Sequence, residues 1–384
     1  MRHDGAAKVG GARVGAGRVA VVLFNLGAPD RPSAVGPFLR NLFRDPAILR
    51  VPPPIRALLA RVIAGFRIRP ALANYALLGG SSPLLDLTRA QATALQSALT
   101  GAQVRCFVAM RYWHPFGDAA ARAVRAWRPD RVVLLPLYPQ YSSTTTGSSV
   151  SDWHEAAAKA GLVAATHTIC CYATDAAFIA AVTEQLRKAY AAARAALPPG
   201  VPLRVLFSAH GLPASIVAAG DPYQWQVEQT VAAVLAAWGE PSVEWAICYQ
   251  SRATPQRWIE PSTIAEIERA ARDRVGLLVV PIAFVSEHSE TLVELDVEYR
   301  HLADRLGVPG YFRVPTPGAD AAFISALAGM VSRAVASDVG VRSHAGVRIC
   351  PERYGDCPCR SEPSTAVRAP ASLPVPLPAP ASAP

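Results

Sequence analysis

The stretch FVSEHSETLVELDVEYR, which begins at residue 284, is rich in acids in a chain whose formal net charge is +9. Read as a helix, it stacks Glu290, Glu294 and Glu298 on one stripe, a spacing at which like charges oppose helix formation. His288 stands just before this stripe. A desolvated row of carboxylates costs free energy unless cations or shared protons offset it. The stretch therefore predicts proton relay or cation guidance, with a solvated helix face as the alternative.

His210 is the second candidate for chemistry. It ends the apolar run LRVLFSAH and precedes GLP, a turn that would present the imidazole at the mouth of a strand. Histidine exchanges protons near neutral pH, and the neutral ring can also bind a metal. The alternative is a histidine that caps a helix or is satisfied in the core. The His/Glu cluster that ends a corresponding strand favours the chemical role.

Cysteines form a third group. Cys350, Cys357 and Cys359 fall in CPERYGDCPC, and thiolates gathered so closely indicate zinc or an iron–sulfur cluster that needs a fourth ligand. Cys170 and Cys171, in THTICCY, are the candidates for that ligand. Neighbours on a strand point to opposite faces, so only one of the two is expected to bind, and we favour Cys171. A chance group of free thiols is the alternative.

Composition limits the class of protein. With 384 residues, of which 51% are apolar, the chain can bury a large core and form two domains. No Lys/Arg run is interleaved with aromatic residues, so nucleic-acid binding is not expected. The Gly/Ala/Arg-rich residues 1–18 are predicted to be disordered, and the apolar run behind them is too short for a signal peptide or membrane span. We therefore expect a cytoplasmic protein.

Short apolar runs alternate with longer helical patterns, which predicts an α/β fold with parallel sheets flanked by helices. The runs that indicate strands are RVAVVLFN, QVRCFVAM, RVVLLPLY, LRVLFSAH, VEWAICYQ and GLLVVPIAF. Each ends in polar or aromatic residues, and ligands of open parallel sheets bind beyond the carboxyl ends of the strands. These residues are therefore expected to converge on one cleft.

The similarity of VVLLPLYPQYS to LLVVPIAFVSE indicates two similar halves. We place a first domain at residues 19–198, where LPPGVP follows a long helical pattern, and a second at residues 199–340. Residues 341–384 are predicted to form a cysteine-containing extension that ends in a disordered Pro/Ala tail.

Residues 51–70, VPPPIRALLARVIAGFRIRP, form an amphipathic segment with a basic flank. Such a segment suits the headgroup region of an anionic membrane, and an ordinary core-facing helix is the alternative. The apolar face consists of Ile55, Leu58, Leu59, Val62, Ile63 and Phe66, and the flank of Arg56, Arg61, Arg67 and Arg69.

Taken together, the motifs resemble those of the ferrochelatases, which insert ferrous iron into a porphyrin late in haem synthesis. The matching segments are NLGAPD, GGSSPL, RYWHP, YPQYSSTTTGSS, SAHGLP, GDPY, YQSRATPQRWIEPST and FVSEHSETLVELDVEY. They follow the family's order from about residue 19 to residue 340. The resemblance implies two Rossmann-like domains with the porphyrin cleft between them.

The resemblance also implies roles for individual residues. His210 and Glu290 correspond to the catalytic histidine and glutamate that meet the iron, and His288 and Glu294 continue the polar path. Porphyrin contacts are implied for Leu26, Arg111, Tyr112, Tyr138, Ser142 and Trp258. The amphipathic segment corresponds to the apolar lip of membrane-associated members, which implies protoporphyrin IX as substrate and peripheral association with the inner membrane.

Two positions depart from the family pattern. Ser143 stands where animal members have a cluster cysteine, so the spacing resembles bacterial members whose [2Fe–2S] cluster takes its fourth ligand near Cys170 and Cys171. Leu26 replaces a methionine of some relatives. A homodimer is an expectation from some members. Coproporphyrin as substrate, or a porphyrin or haem carrier without catalysis, are the alternatives, and the apolar lip argues against the first.

Overall fold

The computed structural model describes residues 11–252 and 256–359 and contains two parallel sheets and one short ribbon. The predicted Pro/Ala tail and the first ten residues lie outside the described residues. Residues 11–18, which were expected to be disordered, include a short strand. The strands are β1 (Ala12–Arg13), β2 (Arg18–Asn25), β3 (Leu99–Thr100), β4 (Gln103–Met110), β5 (Arg131–Pro136), β6 (Ala165–Ile169), β7 (Leu203–His210), β8 (Glu244–Gln250), β9 (Gly276–Pro281), β10 (Tyr311–Arg313) and β11 (Gly340–Arg342).

Helices cover both sheets and carry the connections between the strands. They are α1 (Val35–Arg44), α2 (Pro53–Ala76), α3 (Leu84–Ala98), α4 (Gly117–Trp127), α5 (Ser148–Ala160), α6 (Ala176–Ala196), α7 (Ala214–Ala218), α8 (Tyr223–Trp238), α9 (Thr263–Asp273), α10 (Arg300–Arg305) and α11 (Ala321–Ala336). Two segments are π-helical, Ser143–Gly147 and Glu290–Tyr299, and Pro32–Ala34 is a 3-10 turn.

The first sheet has the order β11-β6-β5-β2-β4, the second has the order β10-β9-β7-β8, and β1 pairs with β3. All of these strand pairs are parallel. The inner strands β2, β5, β7 and β9 are buried along almost their whole length, as expected for parallel strands with helices on both faces. The predicted α/β class with two parallel sheets is confirmed.

Two long helices connect the halves. Helix α6 ends just before the predicted boundary near residue 198, yet it packs against α8, β9 and β10 of the second half as well as α11. Helix α11 follows the second sheet but packs against α3, β5 and β6 of the first half. Each half therefore contributes a helix to the core of the other, while the exact domain limits stay a prediction.

Helix α2 exposes several large apolar residues of its first half and buries small residues against α1. Ala60 and Ala64 are buried where α2 packs on α1, whereas Leu58 is 61% exposed and Phe66 is 81% exposed. Of the six residues of the predicted apolar face, Ile63 packs against the core and the other five are exposed, so the core-facing alternative does not describe most of this face. Within residues 11–252 and 256–359, no helix has both the length and the apolar character that a membrane span needs.

Candidate active site

The ends of β7, β8 and β9 bring together His210, Glu290 and His288. His210 is the last residue of β7, and the chain beyond β9 returns as the π-helix Glu290–Tyr299. The Nδ1 atom of His210 lies 3.0 Å from Oε2 of Glu290, and Nε2 of His288 lies 3.5 Å from the same oxygen. Three groups that exchange protons therefore meet at the carboxyl edge of the second sheet, as the strand-end rule predicts.

The charges of this group stabilise one another. Burial by itself lowers the pKa of His210, but the charge of Glu290 and the hydrogen bond to it outweigh burial and raise that pKa above its ordinary value. Burial by itself raises the pKa of Glu290, but His210 and His288 outweigh burial and hold that pKa far below the ordinary value. Protonated His210 and ionised Glu290 thus form an ion pair over part of the neutral and acidic range.

Glu294, one helical turn further along, accepts hydrogen bonds from Gln250, Ser251 and Tyr299. Gln250 Nε2 donates at 2.9 Å, the Ser251 backbone N–H at 2.9 Å and Tyr299 Oη at 2.8 Å, and Ser251 Oγ completes the set. Burial and the neighbouring charge of Glu290 nevertheless keep the pKa of Glu294 above its usual value. Such donors partly offset the cost of two carboxylates placed close together.

Other charges of the acidic stretch have different partners. Arg313 binds Glu287 at 2.9 Å and Asp296 at 2.6 Å, so these two acids are neutralised on the side of β10. Glu298 is exposed at the outer end of the π-helix and accepts a hydrogen bond of 3.3 Å from Asn74 of α2. The row Glu290, Glu294 and Glu298 therefore leads from His210 toward α2.

Two predicted porphyrin contacts are buried behind the surface. Tyr112 is 1% exposed and donates a hydrogen bond of 2.7 Å to Asp45. Ser142 is fully buried and donates to Asp221 at 2.9 Å. The direct porphyrin contact predicted for these two residues stays a prediction. In this structure both polar groups are hydrogen-bonded to buried acids, which fixes their orientation.

Arg111 is also tied into this network. Its guanidinium lies 3.0 Å from Asp45 and 3.2 Å from Asp152, and its Nε donates to Ser148 at 2.6 Å. The side chain keeps 19% of its surface exposed. Arg111 can therefore present one edge to a ligand while two carboxylates fix its position.

The remaining predicted contacts are apolar or aromatic. Trp258 is 8% exposed and packs beside Gly211, where a Cβ atom would lie 3.3 Å from the indole and 2.8 Å from the Gln250 carbonyl. Because Gly211 has no side chain, Trp258 and the Gln250 carbonyl can approach the backbone directly after His210. Leu26 is half-buried in the apolar cluster around α1 and α2. Tyr138 lies at the end of the first sheet, and burial raises the pKa of its hydroxyl.

All five predicted cluster cysteines meet in one buried group. Cys170 and Cys171 follow β6 directly, and the loop that contains Cys350, Cys357 and Cys359 folds over them. The Cys170 sulfur lies 3.5 Å from that of Cys359 and 3.7 Å from that of Cys171. The expectation that Cys170 and Cys171 point to opposite faces is wrong, because both lie beyond the end of the strand.

Hydrogen bonds between the thiols favour one thiolate in the group. The thiols of Cys350 and Cys359 donate to Cys357 and hold its pKa well below the usual value, while donation raises the pKa of Cys350. Gln226 also donates to the Cys350 sulfur at 3.1 Å. In the described part of the chain, no set of three or more His, Cys, Asp and Glu side chains is arranged to hold a metal ion.

Sequence reasoning missed the residues that form hydrogen bonds or ion pairs with the carboxylates of the acidic stretch. Gln250 and Ser251 stand at a strand end, in the segment YQSR, so position alone could have identified them. Tyr299 could not be found by a 3.6-residue period, because residues five apart share a face only in a π-helix. Arg313 and Asn74 reach the acidic stretch only through tertiary packing.

The family model and the curated relatives agree on one family. The family model described as Ferrochelatase matches residues 18–335. The ferrochelatase of Caulobacter vibrioides (strain NA1000 / CB15N) is 50% identical over 347 residues, which cover 89% of this chain and 98% of that protein. The ferrochelatase of Hyphomonas neptunium is 50% identical over 349 residues, which cover 89% and 94%. Among solved structures, SirB from Bacillus subtilis with Fe3+ aligns with a TM-score of 0.49 and 11% identity, over 83% of this chain and 96% of that one.

Proposed function

The chain belongs to the ferrochelatase family, and from that premise we propose that it inserts ferrous iron into protoporphyrin IX and so forms protohaem. It is a porphyrin metal chelatase, a lyase that places iron in a porphyrin for haem synthesis. The observation that carries the proposed chemistry is the contact of 3.0 Å between His210 and Glu290 at the end of the second sheet.

The reaction removes two protons from the pyrrole nitrogens and replaces them with iron. His210 accepts a proton in this proposal, because Nδ1 donates to Glu290 and the lone pair then lies on Nε2. Glu290 holds this tautomer and stabilises the imidazolium that forms. The imidazolium then releases its Nδ1 proton to Glu290, and neutral His288, whose Nε2 lies 3.5 Å from the same carboxylate oxygen, accepts that proton. The second pyrrole proton leaves by the same route.

Glu294 and Glu298 continue the route away from His210. Their carboxylates attract a divalent cation or pass a proton, whereas Glu287 and Asp296 are neutralised by Arg313 and take no part. A cleft that holds the porphyrin bent favours metal entry, since the bent macrocycle is closer to the transition state than the flat product is. The proposed contacts to the macrocycle are Leu26, Arg111, Tyr112, Tyr138, Ser142 and Trp258. Iron itself is the substrate, and His210 and Glu290 are the proposed groups that meet it.

Protoporphyrin is favoured over coproporphyrin by the exposed face of α2. Leu58, Phe66 and their neighbours offer an apolar surface to a substrate that is itself mostly apolar. Coproporphyrin has additional carboxylates, for which we expect additional basic contacts. A carrier without catalysis would need the apolar cleft but not a buried row of carboxylates, whose desolvation costs free energy.

We also propose a [2Fe–2S] cluster as a resident cofactor. Support comes from the donor set, because the five cysteines lie in one buried group and the Cys170 sulfur lies 3.5 Å from that of Cys359 and 3.7 Å from that of Cys171. A [2Fe–2S] cluster is held by four cysteine thiolates, so a buried group of five cysteines offers enough donors. Cys350, Cys357, Cys359 and one of Cys170 and Cys171 would hold it, and it would tie the C-terminal loop to the first sheet. It takes no part in the proton steps proposed above.

We propose that the exposed face of α2 binds the cytoplasmic side of the inner membrane peripherally. Its apolar side chains would enter the headgroup region while Arg61, Arg67 and Arg69 meet anionic lipid. The homodimer stays a prediction from family resemblance, and light scattering of the purified protein at several concentrations tests it.

The test of function is anaerobic incubation of the protein with ferrous iron and either protoporphyrin IX or coproporphyrin III. We expect haem absorbance to rise much faster with protoporphyrin, and Glu290→Gln to remove that activity. Preference for coproporphyrin would overturn the substrate assignment. Undiminished insertion by Glu290→Gln would overturn the catalytic one, and tight porphyrin binding without insertion by the wild type would favour the carrier.

A further inference from the structure

The side-chain amide of Gln250 has a fixed orientation at the end of β8. Gln250 is 1% exposed and pairs in register with His210 of β7. Its Oε1 accepts a hydrogen bond of 2.9 Å from Ser208 Oγ, and Ser208 is itself within 3.1 Å of Thr263 Oγ1. Because the oxygen is held on the sheet side, the two N–H groups point away from the sheet.

Both N–H groups donate hydrogen bonds to the π-helix Glu290–Tyr299. Nε2 donates at 2.9 Å to the backbone carbonyl of Glu290 and at 2.9 Å to Oε2 of Glu294. One buried amide therefore joins the strand that neighbours His210 to two positions one helical turn apart. A glutamine offers this combination because its terminal group is both acceptor and double donor.

The next residue strengthens the same junction. Ser251 has a φ of 67°, a left-handed conformation that is uncommon for residues other than glycine. Its N–H and its hydroxyl both donate to Glu294. This unusual backbone conformation is thus held by the same carboxylate that Gln250 binds, and backbone strain of this kind persists where the surroundings fix it.

We propose that Gln250 is a positioning residue of the chelatase, whose amide fixes the first turn of the π-helix so that Glu290 stays against His210. The inference rests on the function proposed above. His210 ends one strand and Glu290 begins a helix 80 positions later in the chain, so their contact of 3.0 Å depends on how the helix is seated. Gln250 contacts both acidic positions of that turn, through the backbone carbonyl of Glu290 and the carboxylate of Glu294.

The test uses Gln250→Met, which keeps the length of the side chain but removes both donors, and Gln250→Glu, which keeps the shape and loses the donors when ionised. Each is expected to lower kcat about tenfold to hundredfold, the loss associated with a hydrogen bond to a charged group. The KM for protoporphyrin should change less than about threefold, because Gln250 holds the helix and not the macrocycle.

A double-mutant cycle separates positioning from general damage. In the Glu294→Gln background, Gln250→Met should cost at least about threefold less than in the wild type, because the carboxylate that it holds is gone. Gln140→Met is the matched control, since Gln140 is also 1% exposed and donates to Thr230 and to the Ile282 carbonyl. We expect this control to lower thermal stability while kcat stays near the wild-type value.

Two results would overturn the inference. One is a kcat of Gln250→Glu within about twofold of wild type, which falls outside the loss expected for such a bond. The other is a loss from Gln250→Met that is equally large in both backgrounds, which would mean a purely structural role. If the wild type itself did not insert iron into protoporphyrin, the proposed function would fail instead, and the two failures are therefore distinguishable.

Discussion

Replacing Leu58, Val62 and Phe66 of α2 by serine is expected to detach the protein from anionic membranes. These side chains are 61%, 46% and 81% exposed, so most of their apolar surface is free to enter a bilayer. Complete burial of one such side chain is worth about 1.5–3 kcal/mol. Scaled by the exposed fraction of each side chain, the three together contribute roughly 3–5 kcal/mol to membrane binding. Since 1.4 kcal/mol corresponds to a factor of ten, we expect vesicle binding to weaken by about 100-fold or more.

The assay is co-sedimentation with vesicles of mixed zwitterionic and anionic phospholipid at several salt concentrations. Salt weakens the attraction of the arginines while the apolar contribution remains, so the two contributions separate. A matched control replaces Val163, Leu306 and Val339 by serine, because these residues are 94%, 42% and 59% exposed on other parts of the surface.

Both triple variants should keep the wild-type melting temperature, since the side chains that they change are already exposed. Only the α2 variant should lose vesicle binding and need more protoporphyrin for half-maximal rate. If both variants bound vesicles as tightly as the wild type, the membrane role of α2 would be refuted. If both lost vesicle binding to the same extent, exposed apolar surface in general, and not this helix, would be responsible.

Three further predictions concern the site and the cysteines. His210→Ala should fold normally, with an unchanged circular dichroism spectrum, and lose about 10²–10⁴-fold in kcat as expected for removal of a general base; near-normal turnover would exclude that role. Glu290→Gln should lower the free energy of unfolding most between about pH 4.3 and pH 6.5. The lowered pKa of Glu290 stabilises the folded state at pH values above the ordinary glutamate pKa. The raised pKa of His210 stabilises the folded state at pH values below the ordinary histidine pKa. In urea titrations this difference should shrink above the raised pKa of His210, and a difference independent of pH would contradict the ion pair. Protein purified without oxygen should be reddish-brown with two iron atoms and two sulfides, and iron analysis of Cys170→Ser and Cys171→Ser should show that one of them loses the cluster; a colourless wild type would contradict the cluster.

Much of the fold could be read from the sequence. The runs that form β2, β5, β7 and β9 are nearly continuous in apolar residues because parallel strands are buried on both faces. That pattern is local, so it can be recognised without knowledge of the tertiary structure. The packing of α6 and α11 across the two halves could not be read in the same way, since the apolar face of a helix indicates that it is buried but not which elements cover it.

The candidate site was partly readable for a similar reason. The rule that polar residues gather at the carboxyl ends of parallel strands brought His210 and the acidic stretch to one edge. It did not reveal that Arg313 neutralises Glu287 and Asp296, nor that Tyr112 and Ser142 face buried acids. These partners are far apart in the chain, and their contacts depend on packing.

By itself the sequence determined the α/β class, the strand ends where chemistry is expected and the cysteines that could gather, because these follow from the periods and identities of neighbouring residues. Tertiary structure alone decided which charges are paired and which remain available. His210 meets Glu290 at 3.0 Å only because β7 and the π-helix are seated against each other, with Gln250 between strand and helix. Hydrogen bonds and charge effects fall off within a few ångströms, so they depend on distances that no local pattern specifies.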